Sequence, residues 1–371
     1  KGSLPESEDN PVLLGNHRDA WVYGAADPNS GTAQLLEVAK GLGVLLAKGW
    51  RPQRSIVLCS WSGEEYGLLG STAWSEVNAK TPLLQRAMAY LNVDTGVSGT
   101  QFRAQGTPVL GRVLSSALGA IADPGRPGHT LVEQWDDGDL FALGSGSDYT
   151  AFIDHLGIPS LDMAFWPGAA YGVYHSVFDS FEWMDSVGDP GFKYHVAMSQ
   201  LWGLVALRLA GSSSEGEDVS APPSTTTVPF NFTLQAEAIG TYIADAKARP
   251  NGTMVDYRAL DAAQAKFAAA AEHAMAQERA AMGTHDLALI RSLNERMVYT
   301  ERQFLTADGL PERKYFKHCL QAPGLYTGYA PKTLPGVYDA VSAGDWETAN
   351  AQATIAAERI DAAATFLMGS I

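Results

Sequence analysis

The chain has 371 residues, a hydrophobic fraction of 46%, a charged fraction of 18% and a formal net charge of −15. That length supports two domains, or one domain with a large appendage, and the composition is that of a globular protein. The acidic balance argues against a nucleic-acid partner, which needs clustered Lys and Arg, and no apolar run reaches the ~20 residues that cross a bilayer, Leu201 to Ala210 being the nearest.

In chain order, Val12 to Gly15 predicts a short apolar strand, followed by the turn-rich stretch Asp27-Pro28-Asn29-Ser30-Gly31. A helix is expected from about Thr32 to Lys48, with Leu35, Leu36, Ala39, Leu42, Leu45 and Leu46 on its apolar face, Ser30 as N-cap and Gly49 as stop signal. Ser55 to Ser60 and Met88 to Val93 read as buried strands, with a helix over Leu68 to Val77 between them. Cys59 lies in the first of these runs, which favours a buried thiol over a bridge to Cys319, the only other cysteine. Asp148 to His155 and Phe192 to Ala210 read as helices, and Ser160 to Ala164 as a strand. This alternation predicts an α/β sheet covered on both faces.

The composition changes at Gly211 to Gly216 and stays turn-rich through Pro222 to Thr227, which marks a linker over residues 212–228. Beyond it, Leu260, Ala263, Phe267, Ala271 and Ala274 follow one helical face, as do Ile290, Leu293, Met297 and Phe304. Residues 229–371 are therefore expected to form a helical bundle, interrupted by a loop from Gly309 to Pro335. The sequons at Asn231 and Asn251 permit glycosylation in a secreted protein. The chain starts at Lys1-Gly2-Ser3 without an initiator Met, as a fragment or processed form does.

In an open α/β sheet, functional side chains collect beyond the carboxyl ends of the strands. His17 and Asp19 follow the first strand, Glu64 and Glu65 the second, Asp94 ends the third, and His175 comes from a later loop. Imidazole and carboxylate groups suit zinc. Two neighbouring ions need a bridging carboxylate, and Asp27, in a rigid non-helical turn before Pro28, is the candidate. Of the adjacent pair Glu64 and Glu65, one binds metal and the other is free to move a proton. A lone Glu-Glu pair is ordinarily solvated surface and a lone His ordinarily structural; the joint placement at successive strand ends carries the assignment. His129, His155, His195, His273, His285 and His318 have no comparable sequence partners and are read as structural. His17-Arg18-Asp19 resembles a kinase catalytic loop, but Gly24 stands where a metal-binding Asn belongs, and Gly144 to Ser147 lacks a Gly-x-Ser-x-Gly elbow.

The segments Gly15 to Trp21, Asp27 to Gly31, Ser62 to Ser71, Asn92-Val93-Asp94 and Tyr174-His175-Ser176 closely resemble the glutamate carboxypeptidase II and transferrin receptor-like family of dizinc metallopeptidases. Leu310 to Arg313 and Pro335 to Ala340 resemble segments of its helical dimerisation domain. The resemblance implies a zinc-peptidase mixed sheet flanked by helices over residues 1–211, followed by a C-terminal helical bundle that forms a homodimer. It implies two Zn2+ ions, one held by His17, Asp94 and bridging Asp27, the other by Glu65, His175 and Asp27, with Glu64 as proton shuttle. Asp19 would orient His17, Tyr174 would hydrogen-bond the tetrahedral intermediate, and Gly146, Ser147 and Tyr329 would line the substrate pocket. In the glutamate-specific members an Asn stands at Ser147 and a Lys at Gly328, and arginines are missing from Leu161 to Trp166, which implies a relaxed, more apolar preference. Ala73 replaces one acid of a structural Ca2+ site, while Glu76 remains. Relatives carry an apical domain and the first part of the peptidase domain upstream of Val12, expected here as a separate chain or as lost. Secreted, luminal or cell-surface placement follows from the resemblance alone. The competing readings are a non-catalytic, transferrin receptor-like binding protein and a zinc aminopeptidase.

Overall fold

Short apolar runs at the start of the chain assemble into one sheet that positions everything else. The computed structural model describes residues 1–135, 140–168, 171–211, 226–326 and 328–369. Its main sheet contains β1 (Val12–His17), β2 (Ile56–Trp61), β3 (Ala89–Asn92), β4 (Gln101–Gly106) and β5 (Ser160–Trp166), in the order β2-β1-β3-β5-β4. β1, β2, β3 and β5 run parallel, and β4 pairs antiparallel with β5, which makes the sheet mixed, as expected.

All six residues of β1 are buried, because both faces of the sheet are covered. Val12 and Leu14 join a cluster with Leu35 and Val38 of α1 (Asn29–Ala47). Leu13 and Tyr90 point the other way, towards Phe152 and Trp74, the latter on α2 (Leu69–Asn78). The short helices α3 (Pro82–Arg86), α4 (Gly111–Leu118) and α5 (Phe181–Trp183) connect these layers, and α6 (Lys193–Ala210) lies beside α1. The helix expected over Asp148 to His155 is a π-helix over Ala151–His155. Ser30 is not the N-cap of α1. Pro28 precedes the first turn, its carbonyl accepting from Thr32 N, and the Ser30 hydroxyl bonds back to the Ala26 carbonyl at 2.6 Å.

The C-terminal region holds α7 (Phe232–Ala248), α8 (Arg258–Thr284), α9 (Leu287–Tyr299), α10 (Pro335–Ala343) and α11 (Trp346–Met368), with α8 packed along α11. The apolar stripes read from the sequence face inward: Leu260, Phe267, Ile290, Leu293, Met297 and Phe304 are fully buried. The intervening loop is less irregular than expected, since Gln321–Pro323 (β6) and Pro331–Thr333 (β7) pair antiparallel within it. Of the expected linker, residues 212–225 lie outside the described residues. Cys59 and Cys319 are both buried free thiols. Asn231 Oδ1 accepts from Thr233 N and so caps α7, while Asn251 is exposed. No described helix is long and apolar enough to cross a membrane.

One apolar cluster runs from Leu110 and Leu114 of the sheet region through Phe230 and Phe232 to Phe267, so bundle and sheet share a core. Arg112 on α4 reinforces that joint. It binds Glu278 of α8 in a two-point pair at 2.6 and 2.9 Å and donates to the Phe230 carbonyl at 3.0 Å. Glu278→Ala would leave Arg112 without its carboxylate partner. Because Arg112 is partly solvated, the expected loss is about 1–3 kcal/mol, read as a lower urea midpoint at unchanged slope.

Candidate metal centre

Four parallel strands deliver the centre from their carboxyl ends. β1 ends on His17, the turn after β2 carries Glu64 and Glu65, Asp94 follows β3, and the segment after β5 carries His175. The strand order reverses between β1 and β3, where the crevice of an open α/β sheet forms. Asp27 comes from the loop between β1 and α1, which includes a cis Asp27–Pro28 bond.

Asp27 stands between the two histidines. Its Oδ1 lies 3.3 Å from His17 Nε2 and its Oδ2 lies 3.1 Å from His175 Nε2. On one side Asp94 Oδ1 is 2.9 Å from His17 Nε2; on the other Glu65 Oε2 is 3.0 Å from His175 Nε2. His17, Asp27 and Asp94 thus form one group able to hold a cation, and Asp27, Glu65 and His175 a second, with the ligand atoms of each within 4.8 Å of one another. Glu64 belongs to neither group and places Oε2 3.9 Å from His17 Nε2. Among the described residues these are the groups of this kind, and Glu76 is in neither.

The supporting contacts are local. Asp179, unremarked in the sequence, accepts the backbone N–H groups of Ala26 at 2.8 Å and Asp27 at 3.1 Å, which holds the Asp27 turn. Asn16 donates to the Val93 carbonyl at 2.9 Å and accepts from Thr32 Oγ1 at 2.6 Å, tying β1, the Asp94 turn and α1 together. At Gly31 a Cβ would sit 2.3 Å from the Asp94 carbonyl oxygen, so only glycine permits this approach. His175 has φ 55°, a left-handed conformation uncommon for a non-glycine residue.

Asp19 acts on both sides of the turn. Its backbone carbonyl meets His17 Nδ1 at 2.9 Å, while its carboxylate is 3.7 Å from that nitrogen and accepts from Glu64 N and Glu65 N at 3.2 and 3.3 Å. The expected carboxylate-to-imidazole contact is therefore made mainly by the carbonyl. Ser147 is buried and donates to Asp94 Oδ2 at 2.5 Å, while Asn92 Nδ2 reaches Ser147 Oγ at 3.1 Å. Tyr174 is half exposed and stacks on His175 with ring centroids 3.7 Å apart. The β6–β7 segment brings Tyr329 over Ser145 and Gly146, with Ser145 N donating to the Tyr329 carbonyl at 3.2 Å. Ser145, Gly146, Ser147, Tyr174 and Tyr329 help to line a cavity of about 730 Å³. Of the histidines read as unpartnered, His195 meets Asp189 at 2.8 Å, His318 meets Glu301 at 3.0 Å and His129 meets Glu133 at 2.5 Å. Each is a single pair and none joins a group able to hold a cation.

The electrostatics call for a cation. Burial alone would push His17 down, but Asp94, Asp27 and Glu64 override it and hold the imidazole up at about 12. Burial, then Asp94, pushes Glu64 up to about 9, and burial raises Asp27 and Glu65 as well. Burial opposes the charge of Asp94, yet contact with His17 and Ser147 holds its carboxyl below the usual range. Asp27 Oδ1 is buried without a hydrogen-bond donor. A proton on His17 thus occupies the place that a metal ion's charge would fill, and the donor set of imidazole and carboxylate oxygens fits zinc.

Two further acids near the centre, Asp148 and Asp162, are pushed up to about 7 by burial. A raised carboxyl pKa means that the folded state keeps protons that the unfolded state releases from about pH 4 upward. Stability of the metal-depleted protein should therefore fall as pH rises from 5 to 8. Thermal melts across that window check this, and a melting temperature that climbs with pH would contradict it.

Residues 2–188 match peptidase family M28, and residues 255–368 match the transferrin receptor-like dimerisation domain. The probable glutamate carboxypeptidase LAMP1 of Arabidopsis thaliana is 42% identical over 341 residues, covering 91% of this chain and 47% of that protein. Aminopeptidase NAALADL1 of Mus musculus is 36% identical over 399 residues, covering 97% of this chain and 50% of that protein. The chain spans about half the length of the curated relatives it matches. Among solved structures, the zinc aminopeptidase BSAP of Bacillus subtilis is 20% identical with a TM-score of 0.42, over 58% of this chain and 50% of that one. The M28 match takes in half of the chain and every residue of the strand-end cluster, and on that ground the chain belongs to peptidase family M28, a family of zinc metallopeptidases.

Proposed function

We propose that this chain is a co-catalytic dizinc exopeptidase, with His17, Asp27 and Asp94 holding one ion and Asp27, Glu65 and His175 the other. The observation that carries the reading is the division of Asp27, whose two oxygens face the two histidines from opposite sides. Bound zinc would supply Lewis acidity at a scissile carbonyl and a lowered pKa for water. Glu64, outside both ligand groups, takes the proton of the attacking water and passes it to the leaving amine. The Tyr174 hydroxyl donates to the oxygen that gains charge as the carbonyl becomes tetrahedral. Asp19 fixes the Glu64–Glu65 turn through their N–H groups, and Ser147 aims Asp94.

Relatives named glutamate carboxypeptidase and aminopeptidase both match this chain. The reading favoured here is a carboxypeptidase with relaxed glutamate preference, with Gly146, Ser147 and Tyr329 walling the substrate. In support, Arg103 is the one basic side chain among the described residues that line the cavity, and it stands over the Trp166 ring, so an acidic side chain meets a single guanidinium there and no cluster of them. The complete ligand set argues against a purely non-catalytic, transferrin receptor-like role. The chain divides into a peptidase region over 1–211, a linker over 212–228 and a helical region over 229–371. That last region forms a homodimer, which the dimerisation-domain match supports.

Glu64→Gln tests the reading. The variant should retain about two zinc ions per chain while losing about 10²-fold or more in kcat on N-blocked dipeptides. Full activity in the variant would remove Glu64 from the proton path. Wild-type cleavage of free-amine peptides alone would move the enzyme to the aminopeptidases.

A further inference from the structure

One wall of the cavity is built by β4 and β5. Their antiparallel register sets Gln105 beside Asp162 and Arg103 beside Ala164. Alternation along β5 leaves Asp162, Ala164 and Trp166 partly exposed and sends Leu161, Met163 and Phe165 into the core. Asp27, Glu64, Glu65 and Asp94 also line this cavity, and all four have a part in the metal centre or its proton path. Asp162 lines it too and has none.

Half of the Asp162 carboxylate is already engaged. Oδ1 accepts Asn92 Nδ2 at 2.8 Å, and the same Asn92 amide reaches Ser147, which bonds Asp94. This chain of contacts places Asp162 beside the metal ligands. Oδ2 takes no hydrogen bond from any described residue, and no described cation reaches Asp162 within the 4.0 Å of an ion pair, although the Arg103 guanidinium is near enough to favour its charged form. Arg103, one register pair along, stands over the Trp166 ring at 5.9 Å. A carboxylate set in a cavity wall with a free oxygen is costly until a cation meets it.

We propose that Asp162 is a specificity-determining residue whose free oxygen receives an ammonium or guanidinium group of the substrate. The group is either the side chain of a Lys or Arg beside the scissile bond or the free α-amine of the peptide. The proposal rests on reading the cavity as a peptide site and names the substrate class which that reading leaves open. The alternative is that Asp162 does no more than orient Asn92.

Binding separates these without requiring turnover. Calorimetric titration of the zinc-loaded protein would use L-lysinamide, L-norleucinamide and the N-acetyl derivative of each, which vary the two ammonium groups one at a time. Losing a charge-assisted contact should cost about tenfold or more in affinity. If the side chain is the partner, lysinamide binds about tenfold more tightly than norleucinamide and keeps that lead after acetylation. If the α-amine is the partner, acetylation weakens both to the same extent. Asp162→Asn, which keeps an acceptor for Asn92, should abolish whichever gap is seen. Gln105→Lys should do the same by placing a cation beside Asp162 from the neighbouring strand, and it covers the case in which the first variant does not fold. Equal affinity across all four ligands, no binding by any of them, or a gap that survives both substitutions overturns the proposal. Those outcomes leave the peptidase reading intact if peptides are still cleaved; zinc-loaded protein that cleaves no peptide overturns the peptidase reading, while the titrations still decide the role of Asp162.

Discussion

The crowding of Asp27, Glu64, Glu65 and Asp94 around His17 and His175 is the constraint on which the site depends. Like charges at these distances in a buried crevice disfavour one another, and the metal-free site responds by holding protons. A fold that brings such groups together without a cation would be unstable for no return. The donor types and their division into two groups around Asp27 fit divalent ions, which would convert the repulsion into coordination.

Holding the groups in place falls to neutral and backbone contacts. Asp179 grips the Asp27 turn by two N–H groups, Asn16 joins three elements at the end of β1, and Gly31 lets α1 start against the Asp94 turn. The sheet supplies the rigid base, and the shared apolar core continues from it into the helical region. The β6–β7 segment of that region closes one side of the cavity through Tyr329. The cavity is thus walled by both parts of the chain, although every candidate metal ligand comes from the first.

Much of this was legible in the sequence, for physical reasons. β1 and β3 are apolar runs buried throughout, and buried parallel strands announce themselves that way; the run over Ser55 to Ser60 reads as buried too, but β2 is an edge of the sheet and exposes Leu58 and Ser60. The ligand candidates stood out by their positions after those strands. β4 escaped because Gln101 to Gly106 alternates polar and apolar residues over only six positions and ends on Gly. Asp179 and Asn16 escaped because they act through backbone groups distant in sequence, which no local spacing reveals. Asp19 was expected to meet His17 through its carboxylate; its carbonyl makes that contact, and its carboxylate takes the N–H groups of the Glu64–Glu65 turn. Ser147 was read as a pocket residue, and its hydroxyl is engaged with Asp94. The partners of His129, His195 and His318 became visible only once the chain was folded.

The shared position of Asp27 is the claim from which the proposed chemistry follows. Diffraction from zinc-loaded crystals, recorded on both sides of the zinc absorption edge, addresses it directly. Two anomalous peaks flanking Asp27, one next to His17 and Asp94 and the other next to Glu65 and His175, are the predicted result. A single peak, or two peaks that do not share Asp27, would contradict it.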